Sequence, residues 1–192
     1  MLGEPNPSIV EILMYAIFFA VMLLLSLIPA VIHAFGLARI CNKLGAFRPV
    51  WSWVWSFVFP AFAILRAGDI AAERDKSGDC RKNFEAGITS VVAFALLMAL
   101  ALGFGLMTAF STETPQLSVI TKLFALVMIV LLIAAVAISV WLAVLLYNSY
   151  FRIFKLYMPT WGAWLTLIGM FALSQFAFLI LPVLSFLPMR DD

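Results

Sequence analysis

Charge is scarce in this sequence. Asp, Glu, Lys and Arg make up 11% of the 192 residues, whereas soluble domains carry about 25%. Hydrophobic residues make up 65%, and the mean hydropathy is +1.11. Together these exclude an ordinary soluble domain and point to an integral membrane protein. The net charge of +2 is too small to suggest nucleic acid as a partner. Histidine occurs once, at His33, and cannot build a metal site alone. Cys41 follows it by eight positions, about 12 Å along a helix, too far for joint ligation through bonds of about 2 Å. A hydrogen-bonded structural role is expected for His33. The two cysteines, Cys41 and Cys80, form neither a CxxC pair nor a disulfide framework. HExxH, GxSxG and P-loop motifs are missing, so no enzyme, cofactor or metal is expected. The opening "MLGEPNPSIVE" lacks the basic residues of a cleaved signal peptide, and the first apolar stretch is expected to stay in the mature protein.

Long apolar runs are what the sequence does have. A helix needs roughly 20 apolar residues to cross about 30 Å of hydrocarbon. Four segments meet that length, with spans expected over about 9–37, 85–110, 121–149 and 161–187. A fifth run, 50–65, contains Pro60 and is short. Lys and Arg concentrate on the cytoplasmic side of inner-membrane proteins. If the short run does not cross, ten basic residues fall on one side and only Lys122 and Arg190 on the other. If it crosses, the split becomes five against seven. The first partition predicts four spans, both termini outside, and a run that enters and leaves from the cytoplasm. The expected class is an all-α integral membrane helical bundle. It comprises four transmembrane helices plus one re-entrant or interfacial Trp-rich helix, in a single domain over 1–192.

That short run begins "VWSWVWSFVF", with Trp51, Trp53, Trp55, Phe57 and Phe59 at alternate positions. Read by period alone, it is a β-strand. A lone strand in lipid leaves its backbone groups without partners, and no other segment here can close a barrel. The run is therefore expected to be helical and bent near Pro60. On a helix, Trp51, Trp55, Phe59 and Phe62 share a face, while Ser52, Ser56 and Ala63 form a small-residue seam suited to close packing. Trp51, Trp53 and Trp55 are candidate interfacial anchors, because Trp favours the headgroup level.

Two places can carry function. Gln175, beside Ser174, is the only amide or charge deep in an apolar run and needs a polar partner there. It is either a substrate contact or glue between helices. Ionisable residues are missing from the apolar runs, which argues against a proton relay or ion-coupled pump. The second place is the charged cytoplasmic segment 66–85. Arg66, Asp69, Glu73, Arg74, Asp75 and Asp79 are its candidate partner-docking residues, with a solvated connector as the plainer alternative. Within it, "ERDKSGDCRKNFE" has the flavour of a calcium loop, but Phe84 stands where a bidentate Glu is needed. A solvated turn is expected instead. A faint internal repeat also runs through the chain. Arg39-Ile40 precedes Trp51, and Arg152-Ile153 precedes Trp164, by the same twelve positions. Such repeats mark many transporters, and chance similarity among apolar helices is the alternative.

Leu37 to Ala71 resembles a pattern in small multi-pass bacterial membrane proteins of uncharacterised function. In these a first span ends in Lys-x-Gly, then a Trp-rich run reaches a Pro and returns to a charged segment. Lys43, Gly45, Trp55 and Pro60 match. The resemblance implies a bacterial cell membrane and no known activity. With packing chemistry but no catalytic chemistry, the function expected is a non-enzymatic interaction or accessory subunit of a larger membrane assembly. Its partners would be the lipid bilayer and another membrane protein or a second copy. The alternative is a small transporter or solute-binding membrane component using Gln175 and the re-entrant helix.

Overall fold

A computed structural model describes residues 9–75, 82–110 and 117–190, with side chains left aside at 104, 107–110, 117–121 and 174–176. Among the described residues every regular element is helical. Seven α-helices follow in order: α1 (Ile9–Leu44), α2 (Pro49–Val58), α3 (Pro60–Arg74), α4 (Asn83–Phe110), α5 (Leu117–Lys155), α6 (Thr160–Ala172) and α7 (Ile180–Phe186). A 3₁₀ turn, Ser174–Leu179, separates the last two. Three of these helices, α1, α4 and α5, are long and apolar enough to cross a membrane.

The end of α1 shows how local sequence sets this path. Gly45 adopts φ +70°, a left-handed conformation open to glycine at little cost. Ala46 N–H then donates to Cys41 O (2.9 Å), and Gly45 N–H to Asn42 O (3.2 Å). This double bond pattern is a Schellman cap. Arg48 is extended, and Pro49 opens α2 at its first position, where its missing N–H costs nothing. The Trp-rich stretch is thus a helix, and its two-fold spacing is incidental. Ser52, Ser56 and Ala63 are fully buried, so the small-residue seam faces the protein as its periodicity implies.

At Phe59 the backbone leaves the helix (φ −136°, ψ 66°), and Pro60 starts α3 in a new direction. The chain returns to where it began, because Arg74 Nη2, at the end of α3, donates to Leu44 O at 3.2 Å. Helices α2 and α3 therefore form a hairpin.

The last apolar run departs from expectation. Residues 161–187 do not make one continuous spanning helix. The backbone breaks at Leu173 (φ −112°, ψ 48°), passes through the 3₁₀ turn and returns as α7. Arg190 N–H donates to Leu156 O (2.7 Å), and Lys43 Nζ donates to Leu187 O (2.9 Å). Both ends of the run thus lie beside the ends of α1 and α5. Hydropathy alone does not reveal the break, because the run is long enough to cross and the break is made by backbone torsions.

The two hairpins make crossed contacts at a shared interval. Arg39 and Arg152 lie 113 positions apart, and the same shift carries Gly36 to Ser149 and Gly68 to Leu181. A Cβ built on Gly36 would lie 2.6 Å from Leu181 C, and one on Gly68 would lie 2.7 Å from Ser149 Cα. So α1 touches the returning arm of the second hairpin at the register where α5 touches the returning arm of the first. Crossed contacts of this kind are those of a two-fold arrangement of a helix plus hairpin. Ile40 and Ile153, the equivalent pair, are both fully buried. The shared core lies at this end, built from Leu37, Ile40, Ala67, Ile153, Phe154 and Leu181.

Candidate functional site

The charged end is tied together internally. Asp69 on α3 is buried and reaches the start of α4. Its Oδ1 accepts Asn83 N–H (2.9 Å) and its Oδ2 accepts Phe84 N–H (3.0 Å). The first N–H groups of a helix lack partners within it and favour a negative charge. Asp69 supplies that charge from a different helix. Arg152 Nη1, also buried, lies 3.4 Å from Oδ1. Asn83 Nδ2 donates to Ser149 Oγ (3.2 Å), so one polar cluster joins α3, α4 and α5. Burial raises the Asp69 carboxyl above its ordinary range, while the two N–H groups and Arg152 pull it back.

The other candidate docking charges divide. Asp75 pairs with Lys155, and Arg74 bonds Leu44 O and contacts Met189 Sδ at 3.6 Å. Arg66 lies over the Phe84 ring, 5.9 Å from its centroid, and Glu73 is exposed. Asp79 and the centre of the calcium-like stretch lie outside the described residues. Sequence reasoning had no means of finding Asn83, Ser149 and Arg152 as partners of Asp69. Arg152 is 83 positions away from it, and only the fold brings them together. Trp51 is exposed, while Trp53 and Trp55 are half-buried against Phe35 (5.3 Å) and Phe47 (6.0 Å) respectively.

A second polar location lies where the hairpins turn. A pocket of about 400 Å³ opens between α1, the α2–α3 break and the 3₁₀ turn, lined by Leu27, His33, Ser56, Phe57, Pro60 and Phe178 among others. Pro29 also lines it, where α1 forgoes one backbone hydrogen bond. His33 Nε2 is 3.1 Å from Tyr150 Oη, the hydrogen bond expected of a lone histidine. Ser56 is fully buried, and among the described residues its Oγ meets only the Cys41 thiol, a weak partner. The nearby Cys41 thiol donates to Ala63 O at 3.8 Å. Gln175 and Ser174 sit in the 3₁₀ turn, next to the pocket wall formed by Ala177 and Phe178; their side chains are outside the described set. The two stretches that sequence reading singled out, the Trp-rich run and Gln175, therefore converge at the hairpin tips.

The arrangement can hold an uncharged molecule in an apolar space with few polar groups. It offers no carboxylate, Lys or Arg to a reacting centre. Compared with known proteins, the chain matches no family model, no curated protein and no solved structure.

Proposed function

We propose that this protein is a non-enzymatic, solute-binding membrane component, a small transporter or part of one, working at the junction of its two hairpin tips. In this reading both hairpins are re-entrant from the cytoplasmic side. Helix α2 has 10 residues, about 15 Å of rise, or half of a hydrocarbon core of about 30 Å. Its tip and the pocket then sit near the middle of the bilayer. Broken helices at that depth are tolerated where they are buried or line a cavity, and they form the binding sites of many transporters. A three-span path with the C-terminus inside supports the reading further. Every Lys and Arg except Lys122 then lies on one side, a better partition than four spans give. An impermeant thiol reagent should reach a cysteine placed at Arg190 only in opened cells. Cys41 is buried and cannot serve as that reporter.

The observation that carries the proposal is the pocket between the tips, apolar but for His33 and the buried Ser56 hydroxyl, whose one near partner is the weakly bonding Cys41 thiol. Gln175→Leu tests it. Uptake of small uncharged solutes into proteoliposomes should exceed that of protein-free vesicles and be lost in the variant, with thermal unfolding unchanged. Equal uptake by wild type, variant and empty vesicles would remove the proposal.

One observation favours the interaction or accessory-subunit reading. The most apolar stretch of α1 is not buried against any other part of the chain, and it is apolar all round. A partner helix or a second copy could cover it. Retention of another membrane protein through gentle purification, with no solute uptake, would support this second reading.

A further inference from the structure

We propose that the pocket beside α1 binds a neutral single-chain amphiphile, its polar group at Ser56 and His33 and its chain along α1. This rests on the reading of that pocket as a binding site and names its ligand class.

The argument comes from the two-fold relation. Shifting α1 by the repeat interval places Pro29, Ala30 and His33 on Leu142, Ala143 and Leu146 of α5. Those three α5 residues line a smaller space of about 220 Å³ whose opposite wall is Val91 and Phe94 of α4. In the second half, then, apolar side chains of a long helix occupy the flank of the α5 helix. In the first half the same register along α1 faces an open pocket of about 400 Å³, and among the described residues no counterpart of α4 stands there. What fits is matter of the same kind, elongated hydrocarbon. Leu27, Val31 and Phe57 at its rim are exposed, so the pocket opens towards the lipid, from which such a molecule would enter.

The polar end is set by what the wall lacks. No Asp, Glu, Lys or Arg lines the pocket, so a charged headgroup would lose hydration without a partner. A hydroxyl or carbonyl would instead pair with the buried Ser56 Oγ, which meets only the weakly bonding Cys41 thiol. His33 offers a second polar atom from α1. Ligand sites of this chemistry are mostly apolar with a few placed polar groups.

The test is photolabelling of the full chain in phosphatidylcholine vesicles with a diazirine-bearing hexadecanol. Labelled peptides should map to 27–34 and 56–60, and unlabelled hexadecanol should compete. Ala30→Trp places a large ring in the pocket from a lipid-exposed position and should abolish the competable label without harming folding. Ser56→Ala should weaken apparent binding by up to about tenfold, the scale of one hydrogen bond. Label spread evenly over α1 and α4, without competition, would mean ordinary lipid contact and overturn the proposal. Competable labelling by the matching fatty acid but not by the alcohol would overturn it too. Solute uptake that survives while alcohol labelling fails would leave the pocket a binding site and remove only this ligand class. Loss of both would remove the site as well.

Discussion

The two helix-plus-hairpin halves share a backbone plan but solve the placement of an equivalent arginine differently. Arg152 in the second half is buried against the Asp69 carboxylate, which is held by the start of α4. Arg39 in the first half lies over the Phe186 ring, 4.1 Å from its centroid, and is only half-buried. The difference follows from α4. That helix stands against α3 and α5, and its first turn needs a negative charge, which Asp69 supplies and Arg152 balances. No such helix stands beside α1, so Arg39 needs no carboxylate. The extra helix thus turns one half into a locked junction and leaves the other open at its pocket. With one side closed and one side open, stability and the proposed binding would fall to different halves.

Arg152→Leu should sharpen that contrast most. It removes the ion-pair partner of the buried Asp69 carboxylate and leaves only the weaker pull of Arg66, a loss on the order of 3–5 kcal/mol for a buried pair. The check is the unfolding midpoint in mild detergent and the yield of protein eluting as one species. A variant as stable as wild type would mean that the two N–H groups alone hold Asp69, and the locked half would be no more locked than the other.

The glycine pair tests the two-fold relation itself. Gly36→Val drives a side chain into the Leu181–Pro182 backbone, and Gly68→Val does the same against Ser149. Overpacking costs typically about 1–3 kcal/mol, and both contacts are backbone-close, so both variants should fall at the upper end. Gly169→Ala meets open space and serves as the control that should unfold like wild type. A large loss at Gly68 with none at Gly36 would break the comparison, since equivalent contacts would then carry unequal weight.

Much of the fold was legible in residue pattern because lipid removes alternatives. A strand through the Trp-rich run was excluded by backbone hydrogen bonding in hydrocarbon, and Ser52, Ser56 and Ala63 marked its packed face. Gly45 and Pro49 marked the stop and restart between α1 and α2. Arg39-Ile40 and Arg152-Ile153 share an interval in the sequence, and the crossed contacts at that interval are spatial. Hydropathy counts apolar residues and is blind to direction, so 161–187 read as a span. The polar Ser174-Gln175 pair stands immediately after the break at Leu173. At the charged end, composition showed a surface segment, but Asp69, Arg74 and Asp75 bond to α4, α1 and α5. Those partners are set by how helices stack, which no local pattern encodes.

The smallest effect expected is at Arg39, and it closes the comparison from the open side. A guanidinium over an aromatic ring contributes roughly 0.5–1 kcal/mol at an exposed site and about 2 when desolvated. Arg39 is half-buried, and Phe35 lies at 5.9 Å as a second, more distant ring. Arg39→Leu should therefore cost about 1 kcal/mol, well below the change at Arg152. The aromatic contact has its own signature, because Phe186→Leu should lower stability by a similar amount and the double variant by less than the sum. Residues that act independently would give additive losses instead. A loss at Arg39 as large as that at Arg152 would mean that the first half is held by a buried charge after all. The open half would then owe its openness to something other than the missing helix beside α1.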